Sequence, residues 1–600
     1  MAGLHDTAGA HDGDVRSRRR LLLKGAGGLF LGVLVGLLAW LALEARVVKE
    51  NLEQARSEAV QTKEALSNGK VEAAAQHAGA VQAHARKADD AAHSIPWKLA
   101  GKLPWIGSPF VTGQQISNVV LGFANDVLEP SAHVGLALSP DRLFDGSRLD
   151  VQLLRSEEPT IRKLAADAGR LDAEASAIAT PAYLSEVADA RSKLQAQISS
   201  ISRVLQTTAL AARLAPSMMG ADGPTTYFMG FQTNAEARGT GGIIGGFGIL
   251  HFDNGSPTVE TLGANTALEG PFRAFDLGVE YAAQYGYTNP TTDIRNSNLS
   301  SNFPYAAQIW KSMWAQESGV NVDGVIAIDP VALSYILGAI GPVRLSDGEE
   351  VSKDNVVRLT ESTAYDRFPT DQVARKKYLQ DIAAEVVKKM TRSVQSPREL
   401  LAALGKAIGE RRIAAWSASE ANQKLLAATP LAHEIPDDSA PYAELVLNNL
   451  AGNKMDYYLK RQITYTGDRC GQGMRNTTVT MKLTSDAPTV PLPEYVAGAL
   501  GLSRDVPIKM PSGSMMTSVR LIATKGAVLQ SAFANNQQIP VFSGVERGHP
   551  TFEVQVVIPP RLSGELIFHL SEPASPGAPR VPVQPLADPV TPDIRVPECN

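Results

Sequence analysis

Cysteine is almost missing from this chain: 600 residues hold two, Cys470 and Cys599, with no Cys-x-x-Cys spacing. Ten histidines lie scattered, and neither a His-Glu-x-x-His nor a Gly-x-Ser-x-Gly stretch occurs. Zinc chemistry, thiol catalysis and a serine triad therefore lack the residues they need. An excess of one charge is missing as well. Lysine and arginine number 57 against 62 aspartates and glutamates, which gives no whole-chain field to attract nucleic acid. The glycine-rich run 239–248 has no Lys-Ser/Thr pair of a P-loop, and it continues into the strand-like 247–252 where a dinucleotide fingerprint would start a helix.

Long uncharged runs are scarce too, and the one over 25–43 is close to the ~20 residues that span a bilayer. Arg16, Arg18, Arg19, Arg20 and Lys24 precede it. This predicts a cytoplasmic basic tail over 1–24, a transmembrane helix over 25–43, and a single-pass protein of the cell membrane with the bulk of the chain extracytoplasmic. Ser17-Arg18-Arg19 is also similar to a twin-arginine export signal, but no small-x-small cleavage site precedes Glu44, which favours a retained anchor.

Proline is absent from 44–94, where Ala, Glu, Gln and Lys dominate, and a long helix is predicted there. Its apolar stripe is mostly alanine, at Ala55, Ala59, Ala73, Ala74, Ala78 and Ala85. Such a stripe buries little surface per residue and needs a partner helix. Trp97 and Trp105, in a turn, suit core packing or interface seating. Helical patterns over 113–128 and 156–214, the second broken near Pro181, put Leu164, Leu171, Ile178, Ile198 and Leu205 at spacings of three, four and seven. An extracytoplasmic helical stalk or bundle over 44–222 results.

Beyond it, strand-like runs at 227–231, 246–252 and 324–328 alternate with helical ones at 304–316, 330–337 and 371–394, which predicts an α/β domain over 223–436. Alternation then takes over at Val479, Met481 and Leu483, at Phe552, Val554, Val556 and Ile558, and at Leu566, Phe568 and Leu570. A β-sandwich over 437–572 is expected, followed by a proline-rich tail over 573–600 that runs extended along the surface. The fold class is α+β multidomain. Outside the cytoplasm Cys470 and Cys599 can oxidise to each other and fasten the tail; two unrelated thiols are the alternative.

The stretch Gln232-Thr233-Asn234-Ala235-Glu236-Ala237-Arg238-Gly239-Thr240-Gly241-Gly242-Ile243-Ile244-Gly245 brings a polar loop with one acid and one base to a strand edge. It resembles the signature of a bacterial envelope family known as domain of unknown function 4012. So do Asp293-Ile294-Arg295-Asn296-Ser297-Asn298, Val322-Asp323-Gly324 with Asp329-Pro330, and Gly452-Asn453-Lys454-Met455-Asp456-Tyr457-Tyr458-Leu459. That family is in turn distantly similar to the LytR-CpsA-Psr phosphotransferases, which move glycopolymers from a polyprenyl pyrophosphate carrier onto the cell wall. The parallel runs from Asp323 to the segment Tyr365-Asp366-Arg367-Phe368-Pro369-Thr370-Asp371, continued by Arg375-Lys376-Lys377.

This resemblance implies that the α/β domain is LytR-CpsA-Psr-like. It also implies that Glu236, Arg238, Arg295, Arg367, Asp371, Arg375 and Lys376 gather as phosphate ligands, arginine forks fitting pyrophosphate oxygens in pairs. A carboxylate would hold magnesium, and the partner would be a polyprenyl-phosphate lipid or cell-wall glycan. Thr240 stands where the phosphotransferases have Asp, and Asn296 and Asn302 stand where the related family has Asp; neither a hydroxyl nor an amide supplies the charge a metal wants. No catalytic residue and no certain cofactor follow. A transferase-like glycopolymer protein and a non-catalytic envelope scaffold or adhesion protein both stay open, and they part on whether an apolar tunnel opens onto the arginines.

Overall fold

A computed structural model describes residues 12–104, 106–268, 270–392, 396–471, 473–502 and 510–599. The first eleven residues of the basic tail and Trp105 lie outside the described residues, as do the side chains of the cluster Arg16 to Lys24. The chain divides into two compact units, one made of Met1–Ser139 with Leu153–Arg213 and the other of Pro140–Gln152 with Leu214–Asn600.

The predicted transmembrane helix is not borne out. Among the described residues no helix is long and apolar enough to cross a membrane. The run 25–43 is instead part of one helix, α1 (Asp12–Ser67), which is rich in charged residues on both sides of the run. The helix expected over 44–94 is a hairpin: α1 ends at Ser67, Gly69 turns the chain at a positive φ of 69°, and α2 (Val71–Ala92) packs back. The partner that the alanine stripe needs is thus its own second half, and Ala55, Ala74, Ala78 and Ala85 are all buried with Val81. Further helices α3 (Ser108–Phe123), α4 (Val151–Ser176) and α5 (Ser185–Met218) close this unit around Ile116, Phe123, Leu171, Ile178 and Ile198. Trp97 is a core residue, edge-on to Phe110 with its indole N–H donating to the Phe110 carbonyl at 2.8 Å.

The second unit opens on a five-stranded sheet. Strands β1 (Thr225–Arg238), β2 (Gly241–Asp253), β3 (Ser256–Ala264), β4 (Gly324–Ile328) and β5 (Ile413–Ser417) stand in the order β3-β2-β1-β4-β5, with β1 and β4 the parallel pair. Alternation along β4 decides the layers. Val325 and Ala327 face α6 (Phe303–Ser318), with Trp310 and Met313 fully buried. Ile326 and Ile328 meet α7 (Pro330–Ile340) and α9 (Pro397–Gly409), next to α8 (Gln372–Arg392). Asp329 caps α7 through the Ala332 amide at 2.7 Å, with Pro330 at the position where a missing N–H costs nothing.

The rest of the unit holds two more sheets, whose inner residues share one core. One sheet joins β6 (Ala443–Asn449), β9 (Met515–Ala523), β13 (His549–Ile558) and β12 (Phe542–Glu546). The other runs β11-β10-β14-β8-β7-β15, from β7 (Leu459–Gly467), β8 (Met474–Ser485), β10 (Val528–Ala534), β11 (Gln537–Gln538), β14 (Ser563–Pro573) and β15 (Asp593–Arg595). Val479 opposes Phe568 and Met481 opposes Leu566, and all four are buried. The tail departs from expectation: Gln584, Leu586 and Asp588 are buried, β15 pairs in parallel with β7, and Cys599 closes a disulfide to Cys470. Prolines stop the tail from forming a core of its own, but an extended chain can still lie inside someone else's.

Candidate functional site

The polar stretch expected as a loop is the end of β1 itself. Thr233 pairs with Ile243 and Ala237 with Gly242, so Asn234, Ala235 and Glu236 bulge out of the ladder with β2. Glycine makes this closure possible, because a Cβ on Gly242 would stand 2.1 Å from the Thr233 carbonyl oxygen and one on Gly239 2.2 Å from that of Leu299. The bulge also frees backbone N–H groups inside the protein, where each needs an acceptor. Two buried carboxyls supply them. Glu361, on a π-helical turn at Leu359–Thr363, accepts from the Asn234 amide at 3.2 Å and the Ala235 amide at 2.5 Å. Asp456 accepts from the Ala237 amide at 2.8 Å and from the Asn449 side chain at 2.8 Å.

The side chains of the bulge close a charged cluster beside these caps. Glu236 takes the Arg238 guanidinium at 2.8 Å on one oxygen and the Lys454 ammonium on the other, and all three are buried. Arg238 spends its remaining donors on the carbonyls of Arg295 at 3.0 Å, Ala237 at 2.9 Å and Asn449 at 3.1 Å. Burial pushes the Glu236 carboxyl up, but Lys454 and Arg238 outweigh it and hold it below its usual range. Burial likewise works against the Lys454 charge, and Glu236 holds the ammonium above its ordinary range regardless. With less help from charge, burial lifts Asp456 to about 6 and Glu361 to about 8.

This cluster is a seam between the α/β sheet and the sandwich. Gly239 donates to Asn448 at 3.0 Å, and Gln584 of the tail donates to the carbonyls of Arg238 at 2.6 Å and Leu447 at 2.8 Å. Arg412 joins Asp329 at 2.7 Å to the Leu586 carbonyl at 3.1 Å. Buried Arg375 is part of the same seam, lying 3.9 Å over the Tyr495 ring and 5.3 Å from that of Tyr365 while it donates to the Phe368 carbonyl at 2.7 Å.

The other residues proposed from sequence are placed elsewhere. Arg367 grips Glu349 with two bonds of 2.8 Å, beside the Tyr378 ring. Arg295 folds back on Asp293 at 2.9 and 2.8 Å. Asp371 caps the start of α8 through the Ala374 amide at 2.9 Å. Lys376 lies on the wall of a cavity of about 100 Å³ under α8, between the sheet and Asp329 and Glu361. None of the arginines lines that cavity, and it is far below the roughly 300–1,000 Å³ of an ordinary ligand pocket, let alone a polyprenyl tunnel. Nor do the residues fit magnesium, since Glu236 is taken up by two cations and Asp371 by a helix cap; among the described residues no group of three or more metal-binding side chains is placed to hold an ion.

Sequence reasoning named Glu236 and Arg238 as site residues; it placed Asp329, Lys454 and Asp456 in the family-like motifs without giving them a role at the site, and missed Glu361 and Arg412 altogether. Asp329-Pro330 is a legible helix cap. Lys454 and Asp456 stand in the motif 452–459, which does not say what they meet, and Glu361 and Arg412 carry no local sign at all.

Residues 222–365 match the model of a family described as "Protein of unknown function (DUF4012)". That span includes Glu236, Arg238 and Glu361 and stops short of Lys454 and Asp456. No curated protein matches the chain. Among solved structures, one from Legionella pneumophila described as a "putative nutrient binding protein" aligns at 8% identity and a TM-score of 0.14, covering 22% of this chain and 44% of that one. Over residues 222–365, then, the chain resembles a family whose function is undefined.

Proposed function

We propose that this protein is a non-catalytic scaffold or adhesion module of the cell envelope, working outside the cytoplasm. The observation that carries this reading is the employment of Glu236 and Arg238, the acid and base of the glycine-rich signature, in a buried seam where each already has protein partners. A phosphate site needs donors with free valence facing solvent, and here those donors join two β-sheet layers. The Cys470 to Cys599 disulfide supports the compartment, since such bonds persist where the environment is oxidising.

Two measurements test the reading. Titration of purified protein with a polyprenyl pyrophosphate and magnesium is expected to show no saturable binding. Saturable binding that Arg367→Ala or Arg375→Ala weakens tenfold would instead favour the LytR-CpsA-Psr-like glycopolymer transferase. In intact cells, a membrane-impermeant thiol reagent is expected to label the cysteines only after a reductant is added. Labelling that requires lysis of the cells would contradict the extracytoplasmic placement.

A further inference from the structure

We infer that the cavity under α8 binds a compact, neutral, mainly apolar molecule with one hydrogen-bond-accepting oxygen, such as a small cyclic or branched ketone, ester or amide. Size sets the first limit. The space of about 100 Å³ is smaller than the about 150 Å³ apolar cavity that takes benzene, so an occupant has about five or six non-hydrogen atoms.

The walls set the second. Phe231, Leu262, Leu333, Leu379 and Ile382 present apolar surface. Part of the floor is kept as bare backbone at Gly246, where a Cβ would stand 3.0 Å from the Gly263 carbonyl oxygen.

Polar chemistry is concentrated on one side. Glu361 is buried on the wall with both oxygens fixed by the Asn234 and Ala235 amides, so its carboxyl cannot swing away. Near neutral pH that carboxyl keeps its proton, because burial raises it to about 8, and the O–H is a donor for a ligand oxygen. Asp329 also lines the space but spends its charge on Arg412 and the Ala332 amide. Lys376 stands on the α8 wall, and Lys454 acts on Glu361 from the seam. Asp329 and Lys376 each have partners of their own, so a charged ligand would give up its hydration in this apolar space without a free counter-charge, which selects a neutral one.

The probe is cyclopentanone, added to the full chain and followed by saturation-transfer NMR and thermal unfolding. Saturable binding that raises the unfolding temperature is expected. Ala383→Leu, which puts new carbon into the cavity, should weaken it at least tenfold while the protein stays folded; Ala264→Val does the same from the opposite wall if the first variant fails to fold. The charged analogue cyclopentanecarboxylate should bind at least tenfold more weakly than cyclopentanone. Absence of saturable binding to wild type, unchanged affinity in both folded variants, or equal affinity for the carboxylate would each overturn the assignment. The scaffold reading rests on the seam and survives such a failure.

Discussion

A carboxyl walled in by apolar side chains keeps its proton, and Glu361 is raised from 4.5 to about 8 for that reason. Because the folded value lies above the unfolded one, the folded state holds the extra proton; the stability linked to it is complete below about pH 4.5 and is lost as pH rises through about 8. Glu361→Gln removes this group, so the fall in unfolding temperature between about pH 5 and 8 should be shallower in the variant. Equal slopes in the two proteins would show that Glu361 does not titrate in this way. Glu236 has the opposite sign: its carboxyl is held low, so its contribution is present above 4.5 and disappears on acidification. Arg367, part-exposed and paired with Glu349, is expected to matter little; Arg367→Ala should cost about 0.2–1 kcal/mol by denaturant unfolding. At this scale the sequence told which residues were unusual and not what they touch. Glu236 and Arg238 stood out as an acid and a base among glycines, but the Lys454 that completes them is 218 residues away in sequence.

Elements were more legible than contacts. Strand 324–328 and the alternating strands of the sandwich could be read directly, because burial on one or both faces leaves a pattern in the chain itself. The end of β1 could not, since Asn234 to Glu236 are polar and look like a loop until the carboxyls that cap their amides are in view. The hairpin at Gly69 was missed for a different reason: Asn68-Gly69 is a turn dipeptide, but it lies among strong helix formers in a stretch without proline. Gly242 is the element-scale test. With a Cβ forced to 2.1 Å from the Thr233 oxygen, Gly242→Ala must move backbone, and a loss of about 1–3 kcal/mol is expected in denaturant unfolding. A neutral substitution would mean that the bulge closes without this close approach.

Across the second unit, the tail converts two adjoining β layers into one body. It donates from Gln584 into the seam, receives Arg412 at Leu586, binds Arg461 through Asp588 and is tied at its end by the disulfide. Proline content was legible and the buried course of the tail was not, because the surface it covers is assembled from distant segments. The cross-link spans 129 residues, and replacing Cys470 and Cys599 by Ser together should lower the unfolding free energy by about 2–4 kcal/mol. Stability that does not respond to a reductant would contradict this. The central claim is that the glycine-rich signature builds the junction of the α/β sheet with the sandwich, and a double-mutant cycle on Glu236→Gln and Lys454→Met tests it most directly. Glu236→Gln strands two buried cations and should cost about 3–5 kcal/mol. Adding Lys454→Met should then recover part of the loss, leaving the double variant about 1–3 kcal/mol more stable than the sum of the singles predicts. If Glu236→Gln instead stays within about 0.5 kcal/mol of wild type and the two changes simply add, the pair is solvated and unpartnered, and the junction is held by something else.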